Sequence, residues 1–296
     1  MNCEIFHPVQ YKINTRLNWN TVAPNYHTDW ASRSIGPFKS TTELVKAAEI
    51  STDDIVLDVG CGTGVVSLEV SHYLGNSGLI IGIDISRIAL SIAKSSIKIP
   101  NRLFIEMDAE NLGFPAGSFS KVICQYALMF FPNPNYVLKT IKKIMKKKEE
   151  EEEEEQSKLV IAVHGTSEGV PYFSCIMNSI LKYIPNIRAK GSPSIHSLGN
   201  PDDFYNTIAS AGFSDISIKK YTFHYQAGTF EEYWSDYLSS TANAIRSTVE
   251  SKGSQIVSAI KKDAQEIANQ FIDDDNNKGI IQFPWDVLLA TASNKT

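Results

Sequence analysis

The chain is expected to form an α/β fold, an open and mostly parallel sheet with helices on both faces. Three observations predict it. Short apolar runs alternate with helical segments through the first half of the chain, a three-glycine turn joins the first run to the helix behind it, and acidic residues stand at the ends of successive runs. Strands buried on both faces read as near-continuous apolar runs, and parallel pairing needs the long crossovers that the helical segments supply. Right-handed crossovers and short loops then leave few topologies besides a doubly wound sheet.

The first forty residues are polar and aromatic, with Trp19, Tyr26, Trp30 and Phe38, and show no clear strand. Over residues 40–50, Leu44, Val45, Ala47 and Ala48 recur as one helical face. Residues 55–59 read as a buried strand and 64–74 as a helix; 79–84 is the second strand, and 86–98 a helix with Ser86 as its N-cap. Residues 102–107 are the third strand, followed by a loop with Gly113, Pro115 and Gly117. The fourth strand is 121–126, a helix rich in C-terminal lysines spans 136–147, and the fifth strand is 158–163.

Beyond these, 174–183 and 201–211 read as helices, the latter closed by Gly212. Residues 216–225 alternate as a strand, and 229–272 is a long, mostly helical stretch opened by Phe230, Tyr233, Trp234 and Tyr237. Residues 273–279 make a polar turn, and 280–292 a last strand in which Pro284 suggests a bulge or an edge position.

Composition bounds the function. The 296 residues carry 28 Lys and Arg against 33 Asp and Glu, a net charge of −5. Seven of those acids are the unbroken run Glu149–Glu155, and without them the chain carries about +2. The acidic balance is therefore local, a solvated loop between helix and strand with no chemistry of its own. No basic patch stands uncompensated along the chain, so nucleic acid is not an expected partner. Residues 1–11 hold Glu4, His7 and Pro8 and no secretory signal, and nowhere do roughly 18 apolar residues run together as a membrane span needs. Cys3, Cys61, Cys124 and Cys175 are scattered, with no metal-ligand spacing. A cytoplasmic protein without a metal is expected.

The most specific feature is Asp58-Val59-Gly60-Cys61-Gly62-Thr63-Gly64. Glycines there let the backbone turn with positive φ and let a ligand approach the main chain, while free amides at the helix start favour a carboxylate or other anion. A dinucleotide fold wants Gly-x-Gly-x-x-Gly with a pyrophosphate above it. Here the glycines alternate, and the Asp58 carboxylate would repel a pyrophosphate yet accept from a ligand's ammonium group. Asp84 ends the second strand, where an acid can hold both hydroxyls of a ribose. Asp108 follows the third strand, where a carboxylate and its neighbouring amide can read an adenine edge. All three acids fall where open α/β sheets bind ligands.

These residues, with Gly82-Ile83-Asp84 and Asp108-Ala109-Glu110, resemble the class I S-adenosylmethionine-dependent methyltransferases. Leu112-Gly113-Phe114-Pro115 and Met129-Phe130-Phe131-Pro132-Asn133-Pro134 are similar to the small-molecule branch that includes the ubiquinone and menaquinone C-methyltransferases. The resemblance spans roughly residues 22–165. It implies a Rossmann-like seven-stranded sheet with a reversed last hairpin, for which 216–225 and 280–292 are the candidates. It implies S-adenosyl-L-methionine as cofactor and a small organic methyl acceptor. Asp58, Gly60, Cys61, Gly62 and Gly64 would line the methionine part, Asp84 would hold the ribose, and Ile85 would pack on the adenine. Asp108 and Ala109 would contact the adenine edge, and Gln125 would sit near the sulfonium. Tyr26 and Trp30 precede the first expected helix, where related enzymes fold a lid. Three regions follow: a lid segment over 1–40, a cofactor-binding core over 41–165, and a completion of the sheet over 166–296 with a helical cap at about 229–272.

Two departures bear on chemistry. Met145-Lys146-Lys147-Lys148 and the glutamates replace the family's tight glycine turn before the fifth strand. Gln125-Tyr126-Ala127-Leu128 stands where base methylases carry Asn-Pro-Pro-Tyr, which counts against base methylation. No catalytic residue is singled out. Methyl transfer from a sulfonium is an in-line displacement that needs alignment and a dry site, and a base only when the nucleophile must lose a proton. His164 is either such a base or a core histidine. The aromatic residues of 229–272 either close a substrate pocket or pack on the sheet or on a second subunit of a homodimer. A cofactor-binding scaffold without turnover is the alternative reading.

Overall fold

The computed structural model describes residues 6–33, 35–147, 157–272 and 279–295. The glutamate run and most of the expected turn at 273–279 lie outside those residues.

The strands Ile55–Val59 (β1), Leu79–Asp84 (β2), Arg102–Glu106 (β3), Lys121–Gln125 (β4) and Lys158–His164 (β5) pair in parallel. Ser214–Gly228 (β6) and Ile281–Ser293 (β7) complete a seven-stranded sheet in the order β3-β2-β1-β4-β5-β7-β6, with β7 antiparallel to both its neighbours. The order reverses between β1 and β4, so the loops leaving those two strands diverge and open a crevice at their carboxyl ends.

The helices are Pro8–Asp29 (α1), Thr41–Ala48 (α2), Val65–Ser71 (α3), Arg87–Ser96 (α4), Pro134–Ile144 (α5), Pro171–Tyr183 (α6) and Pro201–Ser210 (α7), then Phe230–Ser239 (α8), Asn243–Glu250 (α9) and Ser254–Ala268 (α10). Ser86 caps α4 by accepting from Ala89 N at 3.1 Å. Helix α5 starts two residues before its expected position, because Asn133 accepts from Tyr136 N at 3.0 Å and Pro134 takes the first helical place. Thr229 and Glu232 form a reciprocal capping box that starts α8 immediately after β6.

Two elements differ from expectation. Helix α1 runs through most of the polar, aromatic first forty residues. Its periodicity is invisible because apolar side chains stand on both its inner and outer sides, Val22 and Ala23 within and Val9, Ile13 and Leu17 without. Strand β7 is neither interrupted nor at the edge, although it contains Pro284 opposite His224. Asp286 donates its N–H to Gly169 O on the β5 side of β7. Pro284, two residues earlier, points its nitrogen to the same side but beyond the end of β5, whose pairing stops at Val287. The missing N–H therefore costs no ladder bond.

Below the reversed strands lies an aromatic core of Trp30, Tyr172, Phe173, Tyr233, Phe283 and Trp285. Asp236 fastens it, accepting from Tyr172 OH at 2.6 Å and Trp30 Nε1 at 3.3 Å. The stretch 229–272 packs here: Tyr233 OH and Tyr237 OH donate to Tyr172 O and Phe173 O.

Candidate active site

A single cleft collects most of the residues singled out in the sequence. Asp58, Gly60, Cys61, Gly62, Asp84, Ile85, Asp108, Ala109, Gln125 and Tyr26 all line it. Gly64 does not: it starts α3 with φ +90°, and an added Cβ there would come within 2.6 Å of Ile97 Cδ1. Its requirement is packing of the helix on α4.

The turn after β1 is built by its neighbour strand. The amides of Gly60 and Cys61 both donate to Ile83 O, at 2.8 and 3.0 Å, and Gly62 N donates to Asp84 Oδ2 at 2.9 Å. Gly60 takes φ +69°, and a side chain there would overlap Ala127 across the crevice. Gly64 N donates to Cys61 O at 2.9 Å. The loop amides expected to be free for an anion are thus largely spent inside the turn, which holds the loop rigid. What remains open is the surface above Gly62, where an added Cβ meets nothing within 4 Å, and Thr63 Oγ1, buried without a hydrogen-bond partner among the described residues. Both are ligand-facing features of a cradle.

Asp84 is pinned from two sides, since its Oδ1 also accepts from Ser86 N at 2.7 Å. Burial pushes its carboxyl above the ordinary value, partly offset by those backbone donors. Asp58 is almost fully buried and accepts from Ser67 Oγ at 2.7 Å. Burial pushes its carboxyl up to about 7, with the nearby Asp84 adding and the Ser67 donors opposing. A cation placed in the cleft would reverse that shift. Gln125 is held by Thr41 Oγ1 and Ser40 Oγ, each at 3.1 Å.

Other walls of the cleft come from residues that the linear reading did not single out for it. Tyr11, Lys12, Thr15, Trp19 and Ala23 of α1 cover the cleft, and Tyr26 lies in that helix rather than ahead of the first one. Trp30 is elsewhere, stacked on Tyr225 in the aromatic core. Lys12 Nζ stands 2.7 Å from both Asp108 Oδ2 and Glu110 Oε2. Burial alone would raise Asp108, but Lys12 and the Glu110 amide outweigh it and hold the carboxyl below its ordinary range. Only a helix prediction for residues 8–29 could have brought Lys12 to the end of β3, and no periodicity signals one.

His164 is a core histidine. Its Nδ1 accepts from Trp285 Nε1 at 3.1 Å, its ring stacks on Tyr126 at 4.3 Å, and burial drives its pKa well down. Phe230, Tyr233, Trp234 and Tyr237 likewise stay out of the cleft. Among the described residues no cluster of side chains is arranged to hold a metal ion, and no helix is long and apolar enough to cross a membrane.

Residues 56–148 match the model of a methyltransferase domain. The chain is 22% identical over 231 residues to a demethylmenaquinone methyltransferase of Staphylococcus saprophyticus, covering 74% of this chain and 90% of that one. It is 27% identical over 194 residues to a ubiquinone/menaquinone biosynthesis C-methyltransferase of Blochmanniella pennsylvanica, covering 60% and 72%. The chain is a class I S-adenosylmethionine-dependent methyltransferase. In fold, the methyltransferase resembles the YcgJ protein of Bacillus subtilis, with a TM-score of 0.59 at 18% identity over 87% of this chain and 99% of that one. The seven-stranded sheet and its reversed last pair are as the resemblance implied. S-adenosylmethionine is the cofactor, and it supplies a methyl group already activated on a sulfonium.

Proposed function

We propose that the methyltransferase acts on a small, apolar, ring-bearing acceptor of the phenol or hydroquinone class. The observation that carries this reading is the composition of the cleft wall beyond the three acids: Trp19, Tyr26, Phe38, Tyr126, Phe130 and Phe131. Aromatic faces of this kind suit a flat apolar ring, with Lys12, Glu110 and Gln125 among the polar groups beside them. That the relatives are named for demethylmenaquinone and ubiquinone/menaquinone biosynthesis supports the same class. No observation favours a scaffold without turnover.

On this reading Asp84 holds the ribose hydroxyls with the lone pairs that Gly62 and Ser86 leave free. Ile85 and Ala109 flank the adenine, and Asp108 accepts from its amine. Asp58, Gly60, Cys61 and Gly62 face the methionine part, where the ammonium group draws Asp58 into its ionised form. Gln125 and Tyr26 stand where the two ligands meet. Residues 1–40 serve as the lid and 41–165 as the cofactor-binding core; 166–296 complete the sheet, with 229–272 bracing α1 through Asn243 Nδ2, 3.2 Å from Asn18 Oδ1. Cys61, Cys124 and Cys175 are free, buried thiols, which supports a reducing, cytoplasmic setting.

The chain's part in the reaction is alignment and exclusion of water. A phenol or hydroquinone loses its hydroxyl proton to water before the site closes. The anion's electron pair then forms the bond to the methyl carbon as the carbon–sulfur bond breaks, so no protein base is assigned to the displacement. The test is transfer of a labelled methyl group across a panel of hydroquinones, phenols and primary amines. Product from the aromatic acceptors is expected; transfer to amines alone would overturn the acceptor class.

A further inference from the structure

The outward side of α1 takes no part in the cleft. Val9, Ile13 and Leu17 recur at every fourth residue, one face of the helix, and are 70%, 47% and 59% exposed. Single exposed apolar residues are ordinary on any protein, but a row of them is not. Asn20, one turn beyond Leu17, accepts from Ser86 Oγ at 2.9 Å and from Ile88 N at 3.3 Å. That junction sets Ile88, also exposed, beside the row.

Along the two segments that carry this row, the charge has one sign. The sequence holds no acid between Glu4 and Asp29, and none between Asp84 and Glu106, in a chain with 33 of them. The same two stretches carry Lys12, Arg16, Arg87, Lys94, Lys98 and Arg102. Lys12 is engaged by Asp108 and Glu110, and Arg102 by backbone carbonyls. Arg16, Arg87, Lys94 and Lys98 are exposed and have no carboxylate partner among the described residues. Two acid-free segments far apart in sequence become one basic face once α1 and α4 lie side by side.

We propose that this face of α1 and α4 seats on an anionic lipid surface. Charge complementarity selects the occupant: the aliphatic row enters the boundary between headgroups and acyl chains, while the unpaired cations at its rim meet lipid phosphates. Duplex nucleic acid would satisfy the cations but offer the aliphatic side chains nothing apolar. A second copy of the chain, docked through the same face, would set like charges against each other. The inner side of α1 walls the cleft, so docking would hold the active site about one helix diameter, roughly 10 Å, from the bilayer, a near source of an apolar acceptor. That supply route rests on the acceptor class proposed above; the docking itself does not.

The test is co-sedimentation of the full chain with phosphatidylcholine vesicles and with phosphatidylcholine–phosphatidylglycerol vesicles. The chain is expected to sediment with the mixed vesicles and roughly tenfold more weakly with the neutral ones. I13S/L17S and R16E/R87E should each weaken binding to the mixed vesicles by about tenfold. Both variants should keep their affinity for S-adenosylhomocysteine, since none of these four residues lines the cleft. Absence of wild-type sedimentation, or variants that sediment like the wild type, would overturn the proposal. So would self-association abolished by I13S/L17S, or retention of duplex DNA abolished by R16E/R87E, in a chain that does not bind vesicles. Failure of the aromatic acceptor panel would leave the vesicle result standing and remove only the supply route.

Discussion

Asp84 and Asp58 are both buried acids beside one glycine turn, yet their environments set them apart. Asp84 is fixed by two backbone donors, so Asp84→Ala removes a ligand contact and the support of the loop together. Calorimetric titration should show its affinity for S-adenosylhomocysteine reduced by about 2–3 kcal/mol; an unchanged affinity would show that the ribose lies elsewhere. Asp58 responds to pH. Its carboxyl is raised to about 7 in the folded chain against an ordinary value of 3.8. The folded state therefore holds the proton more tightly than the unfolded one. The resulting stability is fully present below the unfolded value and is lost as pH rises through 7, because ionisation then leaves a buried charge with only Ser67 to satisfy it. Without cofactor, Asp58→Asn should melt above the wild type at pH 8, with the difference vanishing near pH 4. Cofactor binding near pH 6.5 should release protons in the wild type and not in Asp58→Asn, measurable by titration in buffers of different ionisation enthalpy.

Helix α1 is the element on which access to the cofactor turns. Val22 and Ala23 are its buried residues, and Pro24 removes one helical hydrogen bond beside them. The half of the helix before that point is tied down by Lys12 to Asp108 and Glu110 and by Asn20 to Ser86. Lys12→Ala should loosen that half by about 1–2 kcal/mol, which amounts to roughly five- to thirtyfold faster amide exchange over residues 8–20 with the sheet unchanged. The same variant should speed both binding and release of S-adenosylhomocysteine in stopped-flow measurements. Equal exchange in variant and wild type would show that the ion pairs do not hold the lid.

For the whole molecule, the cleft lies at the reversal of strand order, so a ligand there ties β1, β2, β3 and β4 to α1. S-adenosylhomocysteine at one hundred times its dissociation constant should stabilise the native chain by about 2.7 kcal/mol and raise Tm by several degrees. Removal of residues 1–20 should abolish that shift and keep the circular dichroism of the sheet, because the core under the strands draws on Trp30 and Phe38 but on no described residue before Val22.

Residue order alone was enough for the strands. β1, β2, β4 and β5 are buried on both faces, so each is written as a continuous apolar run, and Asp58, Asp84 and Asp108 stand at or beside the ends that parallel pairing brings to one crevice. Their spacing within the motif is local, which is why a linear reading could assemble most of the site. Three things became visible only in three dimensions. Lys12 meets Asp108 across 96 residues of chain, and no short-range pattern encodes such a pair. Pro284 sits inside the sheet because β5 ends before reaching it, a matter of strand lengths rather than of proline. The charge of −5 belongs largely to one glutamate run, while α1 and α4, far apart in sequence, bring acid-free segments together into a positive, apolar face. Periodicity reports what one element does with its own faces. What lies against those faces is settled by contacts between distant segments, and there the tertiary structure decided.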